Sequence, residues 1–332
     1  PGDDAGAPSA RELFQKFLRN GERSLNAEEW ATVRNTMSTT TNSEGGFTVQ
    51  TDIGRTLVDA LRSYGNMRSI ATVIQTAMGN PMTYPNSDGT AEVGELIAEN
   101  ATATAADIVF GSIGLNTFKY SSKVVAVPFE LLQDSSINVE QLVMQRLAQR
   151  LARITQQQFT TGTGSAQPRG IVTAATSGVV GTTGQTLTVT YDNLIDLQHS
   201  VDVAYRELGR CRYMFHDDTL RVIRKLKDTA GRPLYIAGYE MQGIAGGVPD
   251  MLLGQPVTIN NSMAVMAANA RSIVFGDPSF YVIRDAMDVT MFRFTDSVYS
   301  IKGQVGFLAW LRSGGNYTDV GGGVKFYQNS AT

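Results

Sequence analysis

The feature that most restricts the fold of this chain is a long acidic stretch without any basic side chain. Between Ser69 and Phe118 the sequence has no Lys, Arg or His but carries five acidic residues, which give a local charge of −5. These residues are Asp88, Glu92, Glu95, Glu99 and Asp107. Because like charges repel, the stretch needs cations that lie elsewhere.

Apolar residues on both sides of the acidic centre predict that the stretch is ordered. Val73 and Met82 precede the centre, and residues 118–124 alternate as a β-strand does. The run from Pro85 to Gly89, Pro-Asn-Ser-Asp-Gly, has the composition of a turn. We therefore expect residues 72–124 to form a long two-stranded β-hairpin with an acidic, Ala/Thr-rich tip, called here the acidic arm.

A hairpin by itself is marginally stable in water and exposes unpaired backbone edges. The acidic arm should therefore lie against another surface. The alternative is an ordinary hairpin folded onto its own domain.

The longest predicted helix has an excess of positive charge. It begins at its cap, Asn138, and ends near Phe159. Its apolar stripe comprises Val139, Val143, Leu147, Leu151 and Ile154. Another face carries Arg146, Arg150 and Arg153. No acidic residue follows Glu140 in this helix, so we expect acids from outside to reach the arginines.

These two charge surpluses predict a contact between copies of the chain. An arm tip tens of ångströms from its own helix can meet such a face only on a neighbour. The predicted contact joins Asp88, Glu92, Glu95 and Glu99 to Arg146, Arg150 and Arg153. A second basic candidate is the cluster of Arg221, Arg224, Lys225 and Lys227.

Length and composition exclude several classes of protein. A chain of 332 residues predicts about two domains. Its net charge of −3 and pI of about 5.5 do not fit a dedicated nucleic-acid binder. A single cysteine, Cys211, excludes an intramolecular disulfide framework, and we expect it in a core. No apolar run approaches the roughly 18 residues of a membrane span, so we expect no membrane partner and synthesis in the cytoplasm.

The remaining segments predict a mixture of helices and strands. In chain order we expect helices over 9–18, 26–37 and 53–64, Gly/Thr/Ser-rich loops from 160 to 184, a strand over 186–190, alternating helices and strands from 192 to about 285, and strands over 289–294, 298–311 and 324–327. The last strands are expected to rejoin the long helix, which makes residues 191–285 an inserted α/β domain.

The sequence offers no credible catalytic, metal or cofactor site. With two histidines and one cysteine, a structural zinc site is excluded. In His216-Asp217-Asp218 we expect one of the aspartates to cap a helix. The glycine runs at 162–164 and 321–323 lack the spacing of phosphate-binding loops. We expect a structural protein and no enzyme; the alternative is an α/β enzyme with its site in 191–285.

Several short motifs, taken in order, resemble one known family. They are Glu44-Gly45-Gly46-Phe47-Thr48-Val49, the run Val127-Pro128-Phe129-Glu130-Leu131-Leu132-Gln133-Asp134-Ser135, Gly164-Ser165-Ala166-Gln167-Pro168-Arg169-Gly170-Ile171, Leu252-Leu253-Gly254-Gln255-Pro256-Val257 and Phe275-Gly276-Asp277. With the hairpin and the long helix between them, they resemble the major capsid proteins of tailed bacteriophages, of the Hong Kong 97 type. Gln50 stands where a proline is common in that family, a departure that affects only local backbone.

This resemblance implies an α+β capsid fold and a shell-forming function. Many copies, as hexamers and pentamers, would close into an icosahedral virion head around double-stranded DNA. Decoration, portal and scaffolding or protease proteins are implied partners, and an upstream segment removed by a maturation protease would fit a sequence that starts at Pro1. An encapsulin-type nanocompartment, which shares the fold, is the related alternative.

Some members of the family cross-link through a lysine of the extended loop. This sequence has no lysine between Arg68 and Lys119, so we expect non-covalent locking. The resemblance further implies four parts: an N-terminal arm (1–47), an extended loop (72–124), an axial domain (191–285), and a peripheral domain (48–71, 125–190 and 286–332) with the spine helix at 138–159.

Overall fold

The computed structural model describes residues 26, 47–48, 66–89, 92–97, 102–104, 107–108, 110–130, 139–227, 230–231 and 251–332. The helices are α1 (Asn66–Ile70), α2 (Val139–Thr161), α3 (Ile171–Ala174), α4 (Tyr191–Ser200), α5 (Val203–Glu207), α6 (Asp217–Arg224) and α7 (Ser297–Ser300), with a 3-10 helix η1 (Pro278–Phe280). The strands are β1 (Phe47–Thr48), β2 (Thr72–Thr76), β3 (Thr83–Ser87), β4 (Phe110–Gly114), β5 (Phe118–Ser121), β6 (Val125–Pro128), β7 (Thr176–Val180), β8 (Arg212–Phe215), β9 (Met251–Leu252), β10 (Gln255–Ile259), β11 (Arg271–Gly276), β12 (Tyr281–Phe294), β13 (Gln304–Tyr317) and β14 (Val324–Gln328).

These elements form two compact units. The first comprises the described residues within 1–65, 119–155 and 286–313, and the second those within 66–118, 156–285 and 314–332.

The second unit is built on a mixed six-stranded sheet. Its strand order is β7-β14-β11-β8-β10-β9. β7 is parallel to β14 and β10 is parallel to β8, while β11 runs antiparallel to both β14 and β8. The last strand of the chain therefore lies inside this sheet.

The sheet separates two apolar cores because successive side chains of a strand point to opposite faces. Tyr213 and Phe215 of β8 belong to one core together with Leu194 and Leu197 of α4. Met214, between them in sequence, belongs to the other. Because of the same alternation, β11 and β14 also contribute to both cores.

A buried polar network connects three segments of the second unit. The Gln156 side chain accepts the backbone N–H of Met67 and donates to Asn260 Oδ1, both at 2.9 Å. Asn260 Nδ2 donates to Thr160 Oγ1 at 2.8 Å. Asn260 is 1% exposed, so water cannot reach its polar atoms, and these bonds supply their hydrogen-bond partners instead.

The first unit combines strand pairs with most of the long helix. β6 pairs antiparallel with β13, and β1 with β12. Ser122 and Ala309 exchange two hydrogen bonds of 2.9 Å, from the Ser122 N–H to the Ala309 carbonyl and from the Ala309 N–H to Ser122 Oγ.

The long helix was expected over residues 138–159, and α2 spans Val139–Thr161. The prediction is therefore confirmed, with an end two residues later than expected. Val143, Leu147 and Leu151 of its apolar stripe are buried, and Ile154 is half-buried. The side chain of Val139 and the expected cap Asn138 lie outside the described residues.

Other local predictions are wrong. Residues 186–190 form no strand, whereas β7 lies in the segment 173–184 that composition assigned to a loop. The strand depends on pairing with β14, which lies about 150 residues later in sequence and is invisible to local patterns. The cap of α6 is His216, whose Nδ1 accepts the Asp218 N–H at 3.0 Å, and not an aspartate.

One expectation about domain assignment differs from the strand pairing. β14, expected in the peripheral domain, pairs both with β7, also expected there, and with β11, expected in the axial domain. The four-part division as a whole stays a prediction. The expected helices over 9–18, 26–37 and 53–64 lie outside the described residues, apart from Asn26.

Candidate interaction surface: the acidic arm and its root

The centre of the acidic arm is a two-stranded hairpin. β3 pairs antiparallel with β4, from Thr83 opposite Gly114 to Ser87 opposite Phe110. The predicted turn at 85–89 is therefore wrong, because residues 85–87 belong to β3. Both strands of a two-stranded hairpin are edge strands, so Pro85, which has no N–H, can lie in β3 without the loss of a hydrogen bond between strands. The chain reverses later, between residues 88 and 109, in the segment called here the arm loop.

The arm loop exposes apolar side chains as well as acidic ones. Val93 is 90% exposed and Leu96 is fully exposed. Ile97 and Ile108 are exposed as well, and so is Phe110 of the adjoining strand β4. A group of large apolar side chains in solvent is typical of a surface that another molecule covers.

One carboxylate of the arm loop has a local partner. Glu95 accepts hydrogen bonds from the hydroxyl and the backbone N–H of Thr104. These bonds lower the pKa of the Glu95 carboxyl, since they stabilise its charged form. Glu95 therefore stays negatively charged at neutral pH.

The root of the arm, residues 76–82 and 114–117, is held by one buried arginine of β12. Arg284 is 4% exposed, and its guanidinium lies among backbone carbonyls. Nη1 donates to the carbonyls of Asn80 at 2.7 Å and Leu115 at 2.9 Å, and Nη2 to that of Met78 at 2.9 Å. Nε donates to Thr76 Oγ1 at 3.0 Å. One side chain thus joins the outgoing and returning strands of the arm.

Further contacts fix the returning strand at the root. Asn316 Nδ2 donates to the Gly114 carbonyl at 3.1 Å. The Leu115 N–H donates to the Met82 carbonyl at 2.7 Å, and Leu115 is buried. A Cβ on Gly314 would lie 1.8 Å from the Asn116 carbonyl oxygen, so only glycine allows this close approach.

The residue after Arg284 holds the segment that enters the arm. Asp285 accepts two hydrogen bonds from the Arg68 guanidinium of α1, at 2.7 and 2.9 Å. Both side chains are buried, and the guanidinium carbon of Arg68 lies 5.7 Å from the centre of the Phe159 ring. α1 directly precedes β2, so Arg284 and Asp285 together fix the beginning and the root of the arm.

The structure places the predicted contact residues on exposed surfaces of their own units. Asp88, Glu92 and Glu95 are exposed in the second unit, and Glu99 lies outside the described residues. Arg146, Arg150 and Arg153 are exposed on α2. Arg150 donates to the carbonyls of Val124 at 3.1 Å and Ser122 at 3.4 Å. The predicted pairing of these acids with these arginines is a contact between different copies of the chain, so it stays a prediction.

Sequence reasoning did not identify Arg284. The available signal was the charged pair Arg284-Asp285 inside the otherwise apolar run from Tyr281 to Ala286. A charged side chain in a buried strand is rare unless it is paired or hydrogen-bonded.

Other chemically reactive groups have structural surroundings. Cys211 is fully buried, and burial raises the pKa of its thiol to about 11. Within the part of the chain that the structure describes, no three His, Cys, Asp or Glu residues are arranged to hold a metal ion. The helices among the described residues are too short or too polar to span a membrane.

Comparison with known proteins identifies the family. A sequence model of the phage capsid family matches residues 45–328. The chain belongs to the phage capsid family. No curated protein matches it.

Solved structures of capsids share the fold. The capsid of a native GTA particle is 23% identical, with a TM-score of 0.66 over 92% of this chain and 100% of that chain. The capsid of an empty GTA particle is 25% identical, with a TM-score of 0.65 over 92% and 98%. A structure from Gordonia phage Cozz is 14% identical, with a TM-score of 0.56 over 80% and 86%.

The expected Hong Kong 97-type α+β fold is thereby confirmed. The protein is a major capsid protein of a phage head, and its role is structural.

Proposed function

We propose that copies of this chain assemble as hexamers and pentamers into a closed icosahedral head around double-stranded DNA, and that the acidic arm of each copy locks onto its neighbour. The observation that supports this most is the arm loop, which places acidic and large apolar side chains together in solvent. Such a surface is complete only when a partner supplies cations and apolar contacts. The shell requires no catalytic step and no cofactor.

The cations come first from α2 of the neighbouring copy. Arg146, Arg150 and Arg153 lie exposed on one helix that carries no acid after Glu140. One exposed ion pair is worth about 0 to 1 kcal/mol, so a single pair decides little. A closed shell repeats the contact at every subunit, and linked contacts strengthen one another through effective concentration. Arg221, Arg224, Lys225 and Lys227 on and after α6 are the second candidate surface.

Locking in this proposal is non-covalent. The arm has no lysine between Arg68 and Lys119, so the cross-link of some relatives has no donor there. Contact with packaged DNA is loose and independent of sequence, because the chain has a net charge of −3 and few phosphate contacts are available. Decoration, portal and scaffolding or protease proteins complete the virion, and the subunit is made in the host cytoplasm.

Charge reversal on the arm loop tests the locking contact. Replacing Glu92, Glu95 and Glu99 by lysine should prevent or misdirect shell formation and leave the subunit folded, since the side chains of Glu92 and Glu95 are exposed. Electron microscopy measures the particles, and circular dichroism with thermal unfolding measures the fold.

A matched control separates the contact from net charge. Replacing Glu130, Asp196 and Glu207, which are also exposed, by lysine makes the same charge change elsewhere and should leave particles normal. Combining the arm reversal with glutamate at all three α2 arginines should restore particles. Normal particles from the arm reversal alone would contradict the contact.

The contents of the particles test whether the shell encloses double-stranded DNA. Purified particles from infected or producing cells should contain nuclease-protected double-stranded DNA. Particles that enclose protein cargo instead would contradict a DNA-filled head and favour a nanocompartment.

A further inference from the structure

The distal part of the acidic arm, β3 and β4, lies beyond the sheet in which β2, at the base of the arm, pairs with β12. Among the described strands, β3 and β4 pair only with each other. A two-stranded hairpin of this kind is marginally stable and does not fix its own direction. The direction of β3 and β4 is therefore set largely at the root of the arm, residues 76–82 and 114–117.

The contacts at that point converge on Arg284. Its planar guanidinium reaches three carbonyls and one hydroxyl, on both the outgoing and the returning strand. A planar group that donates four hydrogen bonds holds its acceptors in one relative geometry, which the point charge of a lysine does not do. Because Arg284 is 4% exposed, water cannot replace it.

Small changes at the root produce large displacements along the arm. β3 has five residues, so at about 3.3 Å per residue it extends roughly 17 Å from the root. A rotation of about 10° at the root moves the far end of β3 by about 3 Å, and the arm loop beyond it by more. That displacement equals the length of a hydrogen bond and is enough to break a set of ion pairs.

We infer that Arg284 is a positioning residue for shell assembly: its buried guanidinium fixes the direction in which the acidic arm leaves the subunit, so that the arm loop is preoriented for the neighbouring copy. This inference rests on the proposed locking role of the arm. Preorientation lowers the entropy lost when the arm docks, so its loss slows assembly without removing any contact residue. Arg284 itself is buried within its own subunit.

The first measurement concerns the unassembled subunit. Spin labels on cysteines introduced at Ser112, on β4, and at Asp196, on α4, report the direction of the arm through their distance distribution, with Cys211 replaced by alanine. The wild-type distribution should be narrow. Arg284→Met and Arg284→Lys should both broaden it, because neither reproduces the four hydrogen bonds.

The second measurement is the rate of shell formation by light scattering and electron microscopy. Both Arg284 variants should assemble about tenfold more slowly than the wild type or stop at capsomers. The control is Asn260→Ala, which breaks the buried network of the second unit without touching the arm. It should lower thermal stability but retain a narrow distance distribution and the wild-type assembly rate per folded subunit.

The outcomes distinguish this inference from the function on which it rests. A narrow distribution in Arg284→Met, or a broad one with wild-type assembly, would overturn the positioning role. If Arg284→Met does not fold, Arg284→Lys and Asn316→Ala, which removes the bond to the Gly114 carbonyl, provide the same comparison. If the wild type forms no shells, the proposed function fails, while the spin-label distances still show whether Arg284 sets the direction of the arm.

Discussion

Replacing Arg68 by methionine should destabilise the second unit strongly, because it leaves the Asp285 carboxylate buried without its cation. In the wild type, two hydrogen bonds of 2.7 and 2.9 Å join the guanidinium to both carboxylate oxygens, and the side chains are 3% and 8% exposed. Solvent therefore screens this pair little, in contrast to the exposed pairs proposed for the arm.

The expected loss follows from the cost of an isolated buried charge. Removing one partner of a buried ion pair costs about 3 to 5 kcal/mol. A domain of this size is stable by about 5 to 15 kcal/mol, so the loss is a large fraction of the total. At about 2 to 4 °C per kcal/mol, the midpoint of thermal unfolding should fall by roughly 10 °C.

Two companion variants make the reasoning testable. Arg68→Met combined with Asp285→Leu removes both charges and should recover to within about 1 kcal/mol of the wild type. Arg271 also donates a hydrogen bond to a carbonyl oxygen, that of Val172 at 3.2 Å, but its side chain is exposed. Arg271→Met should therefore cost at most about 1 kcal/mol of stability. Urea unfolding of the purified subunit followed by circular dichroism measures all three. A loss below about 1 kcal/mol for Arg68→Met alone would refute the assignment of a desolvated pair.

Two further predictions follow from the close packing of the second unit. Gly314→Ala should displace the returning strand at the arm root and cost more than about 2 kcal/mol of stability in thermal unfolding, since the new Cβ would lie 1.8 Å from the Asn116 carbonyl oxygen. The control is Gly94→Ala, whose new Cβ has nothing within 4 Å. It should be neutral in the same assay. Burial raises the pKa of the Cys211 thiol to about 11, so the stability from a protonated thiol is complete below its ordinary value of about 8.5 and is lost as pH rises towards 11. The wild type should therefore lose more stability than Cys211→Ala over that pH range in urea titrations, and equal slopes would contradict a buried thiol.

The sequence predicted those elements whose pattern is local. The apolar stripe of α2 repeats at helical spacing over about four turns, so both the helix and its buried face could be predicted. Because short apolar runs between turns suffice to indicate buried strands, alternating helices and strands were expected from 192 to about 285, and β8, β10 and β11 lie in that range.

The errors occurred where distant pairing overrides local preference. Pro85-Asn86-Ser87 has turn composition, yet it forms β3 because β4 pairs with it across the arm loop. β7 is rich in Gly, Thr and Ser and is a strand only because β14 lies beside it. Neither partner is visible in a window of ten residues.

The candidate site was predicted by charge but not by geometry. The absence of Lys, Arg and His between Ser69 and Phe118 made the acidic stretch evident, and the absence of acids after Glu140 made the arginines of α2 evident. The role of Arg284 was not accessible, because its partners are backbone carbonyls, which carry no sequence signature.

The position of β14 also affects when the second unit can complete its fold during synthesis. This strand is formed by residues 324–328, and it lies between β7 and β11 rather than at an edge. During synthesis this sheet therefore lacks an internal strand until residues 324–328 have left the ribosome, and the pairing of β14 with β7, about 150 residues earlier, forms late. A nascent chain that has not yet extended past residue 328 thus lacks a finished second unit.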